Sequence, residues 1–219
     1  RPALAALMVI LAMLTDGVDG RVARALNAQS EFGKELDSLS DVISFGVAPA
    51  FIMFVVALQD LGALGWFVTA FFPVCGALRL ARFNVSASSP GYFVGLPIPA
   101  AGGVLATLAL FHQELPAALM MVSTIVLAVL MVSFVKYPDF KKVHFSNALL
   151  VISFLIVLAM IGLFIFNPES IETWSKLMLI PLVLYALYGL KKNIDLLFRL
   201  FLRKRRKSSN QAVDETAEV

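Results

Sequence analysis

Seven apolar segments limit what this chain can fold into. They fall roughly at 2–15, 38–59, 62–81, 97–113, 115–135, 145–166 and 173–190. Coiled as a helix, an apolar run of about 20 residues matches the hydrocarbon thickness of a bilayer. A helix also satisfies its own backbone hydrogen bonds, which lipid cannot do. The segments lack strand-like alternation, so all seven read as helices. Composition agrees: 59% of the 219 residues are hydrophobic and the mean hydropathy is +0.85, outside the range of soluble domains. The expected fold class is therefore all-α, a polytopic transmembrane helix bundle of about seven helices. The first segment is too short to span alone. It gains length if the helix continues through Asp16 and Asp19 toward Leu26.

The loops between the segments carry their charge unevenly. One set holds Arg21, Arg24 and Lys34, then Arg79 and Arg82, then Lys136, Lys141 and Lys142, then Lys191, Lys192 and the basic run Arg203 to Lys207. The alternate set (59–60, 112–114 and 167–172) has no lysine or arginine. Positive loops stay in the cytoplasm, so the first set and the C-terminus are expected there. Arg1 then lies outside. The chain opens Arg1-Pro2 without a methionine or a signal-peptide pattern, and a further native helix upstream is expected. Residues 1–202 read as one transmembrane domain, and 203–219 as a basic, then acidic, disordered cytoplasmic tail. Cys75, the only cysteine, reads as a small buried residue. The loop 83–96, rich in Ser, Gly and Pro, reads as a solvated turn or as a wall of an active site on that face.

Four aspartates sit where this pattern least tolerates them. Asp16, Asp19, Asp37 and Asp41 lie at the ends of the first two apolar segments, and a carboxylate near hydrocarbon is a functional hypothesis by default. Asp16 and Asp19 are three apart and share a helix face; Asp37 and Asp41 are four apart and share the next. Turn signals at 27–34 join the two helices, so four carboxylates can point into one gap. Carboxylate oxygens suit hard cations that leave positions for water and substrate phosphates. One divalent ion would leave surplus negative charge, which favours two, and two ions about 4 Å apart can clamp an in-line phosphoryl displacement. Gly20, Ala23 and Gly33 leave room for a ligand against the backbone, or simply let helices pack closely. Arg24 could reach a phosphate or mark the membrane boundary.

These residues resemble a known family. The pattern Asp16-x2-Asp19-Gly20-x2-Ala23-Arg24-x8-Gly33-x3-Asp37-x3-Asp41 is similar to the full signature of the CDP-alcohol phosphotransferases, eight fixed positions within 26. Gly20 to Ala50, Arg79 to Val85, Gly95 to Gly103 and Val135 to Lys142 look like its phosphatidylserine synthase branch. The resemblance implies that Asp16, Asp19, Asp37 and Asp41 hold two divalent cations, Mg2+ or Mn2+, with Asp41 also the catalytic general base. It places CDP against Asp16, Gly20, Ala23, Arg24 and Gly33. The implied substrates are CDP-diacylglycerol and L-serine, giving phosphatidylserine and CMP. The implied setting is a bacterial or archaeal cytoplasmic membrane, with the site on the cytoplasmic face, membrane lipid around it and a homodimer as the assembly. Nucleic acid has no place in this reading.

The acceptor pocket is less constrained. A serine carboxylate calls for a cation, and Lys34, Arg79 and Arg82 are the candidates, with Ser44, Ser38 and Asn84 as possible hydrogen-bonding neighbours. Other readings change the acceptor to glycerol 3-phosphate or an inositol phosphate, or the donor to an archaeal ether lipid. A reading from another class, a divalent-cation transporter, would need acidic residues at mid-membrane on several helices. Here they cluster at one end of two.

Overall fold

The computed structural model describes residues 1–85 and 92–138, together with residues 183, 184 and 186. Helix α1 spans Pro2–Ala25 and runs through Asp16 and Asp19, giving the first apolar segment the added length it required. It ends where the Ala28 N–H turns back to the Ala23 carbonyl and Asn27 adopts φ 51°, a left-handed conformation that asparagine tolerates. Ser30 then caps the next helix. Its hydroxyl accepts the Gly33 N–H at 3.0 Å and satisfies a donor that the first turn would otherwise leave bare. Helix α2 therefore starts at Glu31 and continues to Leu61. The connection is shorter than the expected turn over 27–34, and Gly33 and Lys34 stand in the first turn of α2.

Helix α2 is not uniform. Immediately after Asp41 it widens to π geometry over Val42–Val47, closing with the Ala48 N–H on the Ile43 carbonyl. A second wide turn covers Phe54–Leu58. Helix α3 spans Ala63–Val85, α4 Ile98–Phe111 and α5 Ala117–Val132. Two short strands, β1 (Tyr92–Val94) and β2 (Lys136–Pro138), pair antiparallel with Phe93 opposite Tyr137. This ladder lies in loops that the helical pattern left unassigned, and the described residues hold no other strand.

Helix α4 forms the centre. It packs against α1, α2 and α5, while α3 lies along α2 and α5. Nearly every residue of Ile98–Leu108 is buried. A Cβ at Gly102 would run into the Phe45 carbonyl, so α2 and α4 meet backbone to backbone. Gly46 and Pro73 make a similar approach between α2 and α3, where a Cβ would lie 3.3 Å from the proline ring. Lipid supplies no hydrophobic drive between helices, so contacts this close carry the packing. The outward faces are apolar, with Phe51 on α2, Phe67, Val74 and Leu78 on α3, and Val122, Val126 and Val129 on α5 all exposed. Such a surface is a liability in water and suits contact with lipid.

Among the described residues, three helices (Pro2–Gly20, Glu31–Leu61 and Ala63–Val85) are long and apolar enough to cross a membrane; Ile98–Phe111 and Ala117–Val132 are shorter apolar helices. The first five expected segments thus correspond to α1 to α5. The segments at 145–166 and 173–190 (apart from 183, 184 and 186), residues 86–91 of the 83–96 loop and the tail from 203 lie outside the described residues.

Candidate active site

Asp16 and Asp19 stand near the C-terminal end of α1, and Asp37 and Asp41 in the first part of α2. The short capped turn brings the two pairs together. Carboxylate oxygens of Asp16, Asp19 and Asp37 all lie within 4.8 Å of one another. Asp41 shares a hydrogen bond with Asp16 and also faces Asp37. Two bare carboxylates at bonding distance repel, so the contact requires a proton or a cation between them. Asp16 and Asp41 are half-buried, whereas Asp19 and Asp37 are exposed. Each helix thus contributes one sheltered and one exposed carboxylate to the cluster. Hard oxygen donors in this number fit a divalent cation such as Mg2+ or Mn2+.

The remaining candidates are spread around this centre. The Gly20 N–H donates to the Asp19 carboxylate, which fixes that side chain against its own helix. Ala23 lies on α1 one turn beyond Asp19; the backbone of Arg24 belongs to α1, while its side chain lies outside the described atoms. A Cβ at Gly33 would sit 3.1 Å from the Ser30 hydroxyl and crowd the cap, so this glycine has a local task in the hairpin. Lys34 is exposed and shares a helix face with Asp37 and Asp41. Ser44 is half-buried within the wide turn after Asp41. Arg79 on α3 is only 7% exposed, and its charge acts on Asp41.

Arg82 is placed differently. Its guanidinium donates to the carbonyls of Val132 at 2.8 Å, Ser133 at 3.2 Å and Met131 at 3.4 Å, and lies 5.3 Å from the centre of the Phe134 ring. It caps the C-terminus of α5, where carbonyls lack helical partners and the helix dipole favours a cation. Two further contacts add to the site's frame, the first pairing Ser38 and Asn84, both expected near the acceptor, with each other. The Asn84 side-chain amide donates to the Ser38 hydroxyl at 3.1 Å, tying α3 to α2 beside the aspartates. The Ser30 cap is the other, and a serine just before a helix start was its visible signal.

Comparison with known proteins agrees with the geometry. The model of the CDP-alcohol phosphatidyltransferase family matches residues 1–135, which contain all four aspartates. This chain belongs to that family. A Helicobacter pylori protein (strain ATCC 700392 / 26695) named CDP-diacylglycerol–serine O-phosphatidyltransferase is 38% identical over 205 residues, covering 90% of this chain and 82% of the relative. A Bacillus subtilis protein of the same name is 41% identical over 138 residues, 63% of this chain and 76% of the relative. A Methanothermobacter thermautotrophicus protein named archaetidylserine synthase is 41% identical over 148 residues, 66% of this chain and 62% of the relative. Long apolar helices and family membership together make this member an integral membrane protein.

Proposed function

We propose that this chain transfers a phosphatidyl group from CDP-diacylglycerol to the hydroxyl of L-serine, releasing CMP. The observation that carries the reading is the relative with that named activity, matched across 90% of the chain. The gathered aspartates supply the chemistry it needs.

The residues have distinct tasks in this reading. Asp16, Asp19, Asp37 and Asp41 hold two divalent cations, Mg2+ or Mn2+. When bound, such ions neutralise the phosphates and the charge that develops on departing CMP. Asp41 takes the proton of the serine hydroxyl as its oxygen attacks the lipid-linked phosphorus. A new P–O bond forms to serine, and the bond to CMP breaks with its electron pair. Gly20, Ala23 and Gly33 leave the backbone open to the cytidine phosphates, and Arg24 is assigned to the same pocket. Arg79, buried beside Asp41, is the strongest candidate for the serine carboxylate. Lys34 and Ser44 flank the approach. The lysines and arginines of the flanking loops support a cytoplasmic position for this face, and the proposed setting is a bacterial or archaeal cytoplasmic membrane. A homodimer is the proposed assembly, and the particle mass in native lipid tests it.

A second reading keeps serine and changes the donor to an ether lipid, favoured by the archaetidylserine synthase relative. The test is CMP release by purified protein with Mn2+ or Mg2+, offered CDP-diacylglycerol or its ether analogue. Release that requires L-serine is expected. Release with glycerol 3-phosphate but not with serine would overturn the acceptor assignment.

A further inference from the structure

Two sets of side-chain hydrogen bonds leave the last turn of α3 on different sides. On one side Arg82 donates to the three carbonyls at residues 131–133 and covers Phe134. On the other side Asn84 donates to Ser38, which sits between Asp37 and Asp41 in the sequence of α2. Two residues apart on a helix point about 200° away from each other, so a single turn can grip α5 and α2 at once. The Ser38 hydroxyl in turn donates to the Lys34 carbonyl at 3.1 Å, which joins the contact to the first turn of α2. Gly95 completes the clasp. It holds φ 81°, its N–H donates to the Val135 carbonyl at 2.8 Å, and a Cβ there would strike the Met131 carbonyl and lie 3.0 Å from the Arg82 guanidinium.

We propose that Arg82 and Asn84 are positioning residues: a clasp from the α5 C-terminus through the end of α3 to Ser38 sets where Asp37 and Asp41 stand opposite Asp16 and Asp19. The physical need is plain. The segment Glu31–Asp41 has no fully buried residue, so its outer turns are held by their continuation into the packed part of α2 and by contacts such as this one. Its two aspartates must nevertheless meet those of α1 within a fraction of an ångström to share ions. A hydrogen bond from a neighbouring helix that is itself anchored at α5 supplies that constraint. Arg82 thereby leaves the set of serine ligands, since its donors already face backbone carbonyls. This rests on the reading of the aspartates as the metal site.

The test compares Arg82→Gln, Arg82→Lys, Asn84→Ala and Gly95→Ala in detergent-purified full-length protein. Each is measured for kcat, for serine KM, and for the rise in thermal midpoint on adding Mn2+. A positioning role predicts that Arg82→Gln, Asn84→Ala and Gly95→Ala each lower kcat about tenfold. Serine KM should stay within about twofold while the Mn2+-induced rise shrinks, because misplaced carboxylates bind the ion less well. Lysine can still donate to carbonyls, so Arg82→Lys should recover most of the loss; a bidentate serine ligand would not be replaced this way. Arg82→Gln combined with Gly95→Ala should be no worse than the poorer single change, because both open one clasp. Should the glutamine variant fail to fold, Arg82→Lys and Asn84→Ala decide. A selective rise in serine KM, an unchanged Mn2+ response, or independent effects in the double variant would overturn the proposal. The Mn2+ response does not involve the acceptor, so failure of the clasp and failure of the serine assignment are distinguishable.

Discussion

Two helical segments of eleven residues each show how this molecule divides its work. Ile98–Leu108 is buried along almost its whole length, and its Gly102 lets the backbone at Phe45 come into contact. Glu31–Asp41 has no fully buried residue, yet carries two of the four carboxylates. The first holds the bundle together and has no group able to do chemistry. The second has the chemistry and no core, so a cap, a turn and a cross-link from α3 must place it. Stability and activity should therefore respond to different substitutions, and the contrast can be tested from either side.

The largest effect should come from the acidic segment. Asp41→Asn is expected to lower kcat about a thousandfold, the span general-base loss usually covers. Its thermal midpoint should change little, since asparagine keeps the size of the side chain and its amide can still donate to Asp16. Nucleotide binding, followed by titration with CDP, should largely survive. Near-normal turnover would remove Asp41 as the base. The reverse pattern is expected at Gly102→Ala, where the added Cβ meets the Phe45 carbonyl. A loss of about 2 kcal/mol in stability should appear, from forced displacement of packed backbone. The fraction that remains folded should keep its kcat. If Gly102→Ala instead changes kcat without touching the unfolding midpoint, the division of labour is wrong.

Smaller effects sharpen the picture. Arg79→Lys should raise serine KM about tenfold, the scale of a lost charge-assisted hydrogen bond. The KM for the CDP-lipid should change little, and equal rises for both substrates would assign Arg79 to the donor. Ser30→Ala should cost about 1 kcal/mol, as for a lost N-cap. Amide hydrogen exchange in residues 31–34 would report it as local fraying, with activity reduced only a few-fold.

Much of this was legible in the residues. Apolar runs in lipid have one common solution, and α1 to α5 follow them closely. Helical spacing put Asp16 with Asp19 and Asp37 with Asp41, and the structure brings the pairs together. The details that escaped depend on partners distant in sequence. Arg82 is an ordinary boundary arginine until the carbonyls near residue 132 are placed beside it. Gly95 and Gly102 are ordinary glycines until a backbone lies against them. Pairing of 92–94 with 136–138 joins two loops about 40 residues apart, and no short-range pattern announces it. The wide turn after Asp41 has no signal in the residues that form it.

The central claim is that four aspartates from two helices make one site for divalent ions. Counting Mn2+ bound to purified protein in the presence of CDP tests it most directly. About two ions per chain are predicted for the unmodified sequence, with loss of binding in both Asp16→Asn and Asp37→Asn, because each helix contributes to the same site. Full Mn2+ binding in either variant would contradict the account.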